Sequence, residues 1–203
     1  MVEKKVQKRT IESREKINAA AWKLFCEKGY FNTNTKEIAQ TAGISVGNFY
    51  NYYQDKFDVY YELAAQYLHG SASAIIDLEE VLLQAGDRRL VLEHYINTQM
   101  NRAMATGRFF SDCQVLVQDR ENLGRLFAED TKSVIQSIEL LLRKIPDVKQ
   151  RASYPVMARI LFTLVDKLSE DACTQTDPVI YEEYRRQLTE LVQEYLFGAT
   201  VRP

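Results

Sequence analysis

Apolar residues recur at helical steps through most of the chain. Ile17, Ala21, Leu24 and Phe25 are separated by four, three and one positions, which predicts a helix over about residues 10–28. Gly29 follows where a glycine just past a helix end belongs. A short second helix carrying Ile38, Ala39 and Ala42 is expected next, capped by Asn34 or Thr35 and stopped by Gly43. Ser45 is a natural N-cap for a third helix from Val46, and Asp55 caps a fourth. That fourth segment has no breaker except Gly70, and Phe57, Tyr60, Ala64, Tyr67 and Leu68 share one of its faces. Beyond residue 85 the stops fall at Gly107, at Pro146 and around Thr174 to Asp177, while Asp87, Ser153 and Asp177 occupy N-cap positions. Pro178 then sits in the first turn of the last helix. No alternating strand pattern longer than four residues appears, nor any internal repeat. The fold class is all-α, with about nine helices.

Residues 1–55 hold three helices of falling length. The second and third are joined by the four-residue turn Ala42 to Ser45 with a glycine inside it, which is the helix-turn-helix pattern. The domain expectation is therefore a trihelical unit over 1–55 and a larger helical domain over 56–203. At the far end, positions 181, 184, 188, 191 and 195 alternate steps of three and four, and the helix before it carries Met157, Ile160, Leu161, Leu164 and Leu168. Both stripes can face the chain's own core. They can also form a four-helix bundle with a second copy, and Leu161, Leu164, Leu168, Tyr184, Leu188, Leu191 and Tyr195 are the candidate dimer residues.

Composition narrows the class. The 203 residues are 46% hydrophobic and 27% charged, enough apolar matter for a core, and only 8 glycines and 4 prolines are available for turns and linkers. No apolar run approaches the roughly 20 residues that cross a bilayer, and the charged N-terminus has no secretory apolar segment. The expectation is a cytoplasmic protein without a membrane partner. Three scattered cysteines, Cys26, Cys113 and Cys173, read as reduced thiols. The net charge of −2 hides an asymmetry: residues 1–60 hold ten Lys/Arg against seven Asp/Glu, a net of +3, with Lys4, Lys5, Lys8, Arg9, Arg14 and Lys16 in the first sixteen.

Catalytic chemistry finds little support. The two histidines, His69 and His94, lie in different helices, and neither has a metal-ligand neighbour at useful spacing. There is no phosphate loop, nucleophile elbow or paired-histidine metal motif. Acid pairs such as Glu79–Glu80 and Glu182–Glu183 fall on solvated faces. We expect no enzyme, no cofactor and no metal.

The third helix is the informative one. On a helix from Val46, Phe49 and Tyr53 are four apart and share a face that packs onto Ile38, Ala39, Ile44, Leu24 and Phe25. Tyr50, Asn51 and Tyr52 then point elsewhere, beside Asn48. From Ile44 to Gln54 there is no charged side chain. A carboxylate on such a surface would be repelled by phosphates, whereas phenols and amides donate to phosphate oxygens or read base edges. Gly47 lets the backbone approach a duplex, free N–H groups at 46–48 favour a phosphate, and Lys56 adds a cation just past the helix. A trihelical core alone explains Phe49 and Tyr53 but leaves Tyr50, Asn51 and Tyr52 without a role.

The run "GYFNTNTKEIAQTAGISVGNFYNYYQDKFDVYYEL", residues 29–63, resembles the TetR family of bacterial transcriptional repressors. The resemblance rests on Gly29–Tyr30, on Thr33 to Ala39, on Ala42–Gly43–Ile44–Ser45 and Gly47, and on Tyr50, Tyr53 and Lys56. Asn34, Val46 and the pair Asn51–Tyr52 depart from its commonest pattern. The resemblance implies a DNA-contacting set of Thr33, Asn34, Thr35, Lys36, Ser45, Val46, Gly47, Asn48, Tyr50, Asn51, Tyr52 and Lys56. It implies a homodimer, built from helices at 154–173 and 178–196, on double-stranded operator DNA. The operator expected for such a two-fold protein is an inverted repeat. The resemblance also implies a small-molecule ligand in the C-terminal domain, with the fourth helix coupling the two. Such a ligand releases the operator by shifting recognition helices away from a spacing of about 34–36 Å, one duplex turn. Candidate pocket residues are Tyr67, His94, Tyr95, Met104, Phe110, Cys113, Phe127 and Phe162, each of which can equally fill a helical core. The alternative from another class is a helical protein–protein adaptor that binds no DNA.

Overall fold

The computed structural model describes residues 2–175 and 177–198, with side chains from residue 10 onward apart from Ala72. The side chains of Lys4, Lys5, Lys8 and Arg9 in the basic N-terminal stretch therefore lie outside the described residues. Among those described, the chain is helical throughout: α1 (Val2–Lys28), α2 (Thr35–Thr41), α3 (Val46–Phe49), α4 (Lys56–Gln84), α5 (Arg88–Ala105), α6 (Arg108–Asp119), α7 (Glu121–Lys144), α8 (Tyr154–Cys173) and α9 (Pro178–Phe197). None of these helices is long and apolar enough to cross a membrane.

Local signals account for most of the boundaries. Asn34 Oδ1 accepts from the Glu37 N–H (3.0 Å) and Glu37 Oε2 accepts from the Asn34 N–H (3.1 Å), a reciprocal cap on α2. Asp55 Oδ1 accepts from the N–H groups of Phe57 (2.7 Å) and Asp58 (3.0 Å) to start α4. Asp87 does the same for α5 and Asp177 for α9, whereas Ser153 precedes α8 without a side-chain bond. Gly70 leaves α4 unbroken. The junction at Arg120, between α6 and α7, carries neither glycine nor proline and has no sequence marker. α1 begins well before the apolar stripe does, because its outer turns are polar and offer periodicity nothing to detect.

The chain divides into two compact units that do not follow a single cut at residue 55. The first comprises residues 1–67 and 106–126, the second 68–105 and 127–203. The first unit takes in the start of α4 and all of α6 because its core is aromatic and needs both. Phe25, Phe49, Tyr60 and Phe109 are fully buried. The Tyr60 ring stacks on Phe109 with centroids 4.4 Å apart and meets Phe25 edge-on at 5.3 Å. The Tyr60 hydroxyl donates to the Phe109 carbonyl (2.5 Å), and burial pushes its ionisation far above the ordinary phenol value. Gly107 (φ +50°) begins α6 against the Cys26 carbonyl, where a Cβ would overlap the backbone of α1.

The second unit packs Leu82, Ile96, Met100, Leu142, Met157 and Leu188 at 0–2% exposure. The carbonyls at the end of α9 are satisfied by the α7–α8 connection and by α5. Lys149 N–H donates to Leu196 O (2.7 Å), Arg151 to Tyr195 O (2.9 Å) and Glu194 O (3.0 Å), and Arg89 to Gly198 O (2.7 Å).

Half-buried Asp130 gives this unit a pH dependence. Burial pushes its carboxyl up to about 6, with Arg102 pulling the other way. Folding therefore favours the neutral acid. The contribution is present in full below the ordinary carboxyl value of about 4 and is lost as pH rises through about 6. Thermal melts between those pH values should show stability falling as pH rises, and Asp130→Asn should flatten that segment of the curve.

Candidate nucleic-acid interface

α2 and α3 are too short to persist alone and are held by their caps and by a few buried side chains. Gly43 (φ +68°) makes the turn between them, and the Ile44 N–H closes it on the Ala39 carbonyl (3.0 Å). Ser45 Oγ accepts the Asn48 N–H (3.1 Å) and starts α3. Ile38, Ala39, Phe49 and Tyr53 are buried. The Tyr53 hydroxyl donates to Asn18 Oδ1 (2.7 Å) and Glu62 Oε2 (3.2 Å), and the Arg14 guanidinium lies over its ring at 5.2 Å. Arg14 also pairs with Glu62. Burial raises the Glu62 carboxyl, but hydrogen bonds from Asn18 and Arg14 more than offset this and its value is lowered. These contacts fix the C-terminal end of α3 to α1 and α4.

With that face packed, the opposite one is open. Tyr50 is 54% exposed and Val46 38%. Asn34, Lys36, Ser45, Gly47 and Asn51 are exposed, and a Cβ built at Gly47 would meet nothing. Thr35 and Asn48 are half-buried. The Tyr50 and Thr35 hydroxyls lie 3.2 Å apart, joining the start of α2 to α3 across the surface. Asn51 Nδ2 donates to Asn48 Oδ1 (3.3 Å). Tyr52 is half-buried beside a cleft of about 430 Å³ that it shares with Arg14, Phe57, Tyr61 and Glu62. Ten of the twelve residues read as DNA-contacting thus lie on this open surface or at its border.

Thr33 and Lys56 are placed otherwise. Thr33 is 2% exposed, and its Oγ1 donates to the Gly29 carbonyl (2.7 Å), so its side chain caps the α1–α2 turn and offers no surface. The Lys56 ammonium donates to the carbonyls of Tyr30 (2.7 Å) and Thr33 (2.8 Å) and sits 4.1 Å from the Tyr30 ring centroid. Burial lowers its ionisation, with Asp112, Asp55 and Glu37 opposing. Lys56 is directed into that turn rather than out as a phosphate contact. Glu37, the carboxylate of α2, is paired with Lys28 (2.6 Å), whose hydrogen bond lowers its ionisation together with the Asn34 N–H. Sequence reasoning misses Asp112, whose Oδ2 accepts the Tyr30 N–H (2.5 Å) across 82 positions of chain.

The candidate pocket residues are divided between the two compact units. Tyr67, Phe110 and Cys113 belong to the first unit, where the Tyr67 and Phe110 rings meet at 4.6 Å and Cys113 is buried. Burial pushes the Cys113 thiol up to about 12. Tyr95, Phe127 and Phe162 belong to the second, where His94 is exposed and Met104 is 49% exposed. A cleft of about 490 Å³ in the second unit is lined instead by residues including Glu93, Glu182, Arg185, Arg186 and Gln193. Of the dimer candidates, Leu161 and Leu188 are buried in their own chain's core, which leaves Leu188 no surface for a second copy. Leu164, Leu168, Tyr184 and Tyr195 are partly buried against that core, and Leu191 is 45% exposed.

Comparison with known proteins agrees with this geometry. The family profile described as bacterial regulatory proteins, tetR family, matches residues 17–63. The HTH-type transcriptional regulator HbdR of Aromatoleum sp. (strain CIB) is 46% identical over 48 residues, 24% of this chain and only 21% of that relative's own length. A putative TetR-family regulator from Mesorhizobium loti superposes with a TM-score of 0.74 at 20% identity, covering 93% of this chain and 98% of the other. Thermus thermophilus FadR, a TetR-family repressor in complex with lauroyl-CoA, does so at 0.57 and 24%, covering 94% and 96%. Residues 17–63 are thus similar to bacterial regulatory proteins of the tetR family, and the fold as a whole is TetR-like with an N-terminal helix-turn-helix domain.

Proposed function

We propose that the chain is a dimeric, cytoplasmic repressor that reads an inverted-repeat operator through Asn34, Thr35, Lys36, Ser45, Val46, Gly47, Asn48, Tyr50, Asn51 and Tyr52, and leaves it when a small molecule binds. The observation that carries the DNA reading is the division of α3, with Phe49 at 0% exposure and Tyr50 at 54% on successive residues. One ring anchors the helix and the next is held out at the surface by Thr35, and the acid of α2, Glu37, is paired with Lys28. Dimerisation through α8 and α9 is supported by apolar side chains left outside the core: Val156 (49%), Ile160 (42%), Ile180 (41%) and Leu191 (45%). Ligand release rests on the resemblance to the family, one structural neighbour of which, Thermus thermophilus FadR, is a repressor in complex with lauroyl-CoA. The functional division is the N-terminal 55 residues for DNA and the remainder for ligand and dimer. No catalytic role is proposed, in keeping with regulator relatives.

The test is selection of duplexes from a randomised pool, followed by affinity measurement on the enriched sequence. We expect a two-fold site and a binding constant that falls steeply with salt. Tyr50→Ala and Asn51→Ala should each weaken binding to that duplex by about 1–3 kcal/mol and relax its sequence preference, with the dimer intact. Failure of the parent chain to enrich any sequence would leave the protein-binding adaptor in its place.

A further inference from the structure

The α1–α2 turn sets where the helix-turn-helix begins, and it is gripped from a part of the chain far away in sequence. Asp112, in the middle of α6, accepts the Tyr30 N–H at 2.5 Å. Gly29, immediately before, has φ +86°, and a Cβ there would overlap the Asp112 carboxylate, so the close approach requires glycine. Lys56 takes the carbonyls of Tyr30 and Thr33 on the same turn. On either side of Asp112, the Phe109 carbonyl receives the Tyr60 hydroxyl and Cys113 is buried. Residues 106–126, which carry α6, count with the first unit although the chain on both sides of them, up to Ala105 and from Phe127, counts with the second.

From this arrangement we infer that Asp112 is a positioning residue for DNA binding: its carboxylate, carried on α6, locks the turn that presents α2 and α3. The inference rests on the DNA-reading proposal above. The turn's backbone is irregular, and an unheld turn must be ordered when DNA binds. A turn already locked by Asp112 and Lys56 avoids that ordering cost.

The sign of the prediction separates it from simple electrostatics. Removing an acid from a DNA-binding unit should by itself tighten binding to a polyanion. If Asp112 is a positioning residue, Asp112→Ala should instead weaken binding to the duplex enriched by the parent chain, by about ten-fold, the order expected when a charge-assisted hydrogen bond is lost. The salt dependence should stay unchanged, since no phosphate contact is removed. Asp112→Asn removes the same charge but keeps an oxygen that accepts the Tyr30 N–H, and should recover most of the affinity. In amide hydrogen exchange of the full-length protein, the Tyr30 N–H should exchange faster in the alanine variant than in the parent or the asparagine variant, whether or not global stability has moved. Equal or tighter DNA binding by Asp112→Ala overturns the inference, as does equal weakening by both variants or an unchanged Tyr30 exchange rate. A parent chain that enriches no duplex would instead sink the DNA-reading proposal, and the exchange result would still decide the role of Asp112 in holding the turn.

Discussion

Leu188→Asp should unfold the second unit, whereas Leu191→Asp, three positions along the same helix, should leave it folded and separate the proposed dimer. Leu188 is 0% exposed in the core that also holds Ile96 and Met157. Truncating a buried leucine costs about 2–5 kcal/mol. An aspartate there adds the further penalty of an unpaired charge in an apolar interior, of several kcal/mol. The total approaches the roughly 5–15 kcal/mol that holds a domain together. Leu191 is 45% exposed, so a carboxylate at that position stays hydrated in the monomer. On the surface proposed to pair, with Val156, Ile160 and Ile180, it would lose that hydration only against a second copy. Circular dichroism melts and sedimentation velocity read the two outcomes separately. A folded Leu188→Asp would contradict the core placement, and a persistent Leu191→Asp dimer would move the interface away from this surface.

The contrast between those two leucines shows what periodicity conveys. The sequence marks 181, 184, 188, 191 and 195 as one seam, and the buried positions of α9 are Tyr181, Leu188, Thr189, Val192 and Leu196. A stripe of apolar residues shows that a helix has a buried side, but the angle at which that side turns inward depends on neighbours the stripe does not contain. Hence Leu188 and Leu191 look equivalent in sequence and differ in the fold. The helix-turn-helix is far more legible because its signals are local: Asn34, Ser45 and Asp55 cap groups within four residues of themselves, and Gly43 makes its turn alone. Lys56 and Asp112 act at long range, and Thr33 turns inward although its acceptor, the Gly29 carbonyl, is only four positions away. Thr33 and Lys56 read as outward polar residues until the turn that receives them is known, and nothing in a single sequence ties residue 112 to residue 30. The candidate pocket is the least legible of all, since aromatic residues drawn from α4 to α8 belong to two different compact units.

Phe49→Ala should abolish specific DNA binding while scarcely changing the helical content. α3 is four residues long, well short of the roughly 12–15 at which an isolated helix becomes even marginal. Its position depends on the Ser45 cap, on Tyr53 and on Phe49, which is fully buried with its ring 5.8 Å from that of Tyr53 and edge-on to Tyr50 at 5.5 Å. Replacing a buried phenylalanine by alanine costs about 3–5 kcal/mol. That loss falls on a segment with little else to hold it, so local opening of residues 45–53 should precede global unfolding. A loss of about 3 kcal/mol alone corresponds to more than a hundred-fold in affinity if the ordered α3 is the binding form. The effect should exceed that of Tyr50→Ala, which removes a reading group but leaves the helix in place. Residual binding should be salt-sensitive and indifferent to sequence, because the exposed cations remain while the base-reading surface does not. Phe49→Leu, which refills most of the space, should recover part of the specificity. If Phe49→Ala instead loses no more affinity than Tyr50→Ala, α3 is held by contacts other than its buried ring, and the division of that helix into an anchoring side and a reading side is wrong.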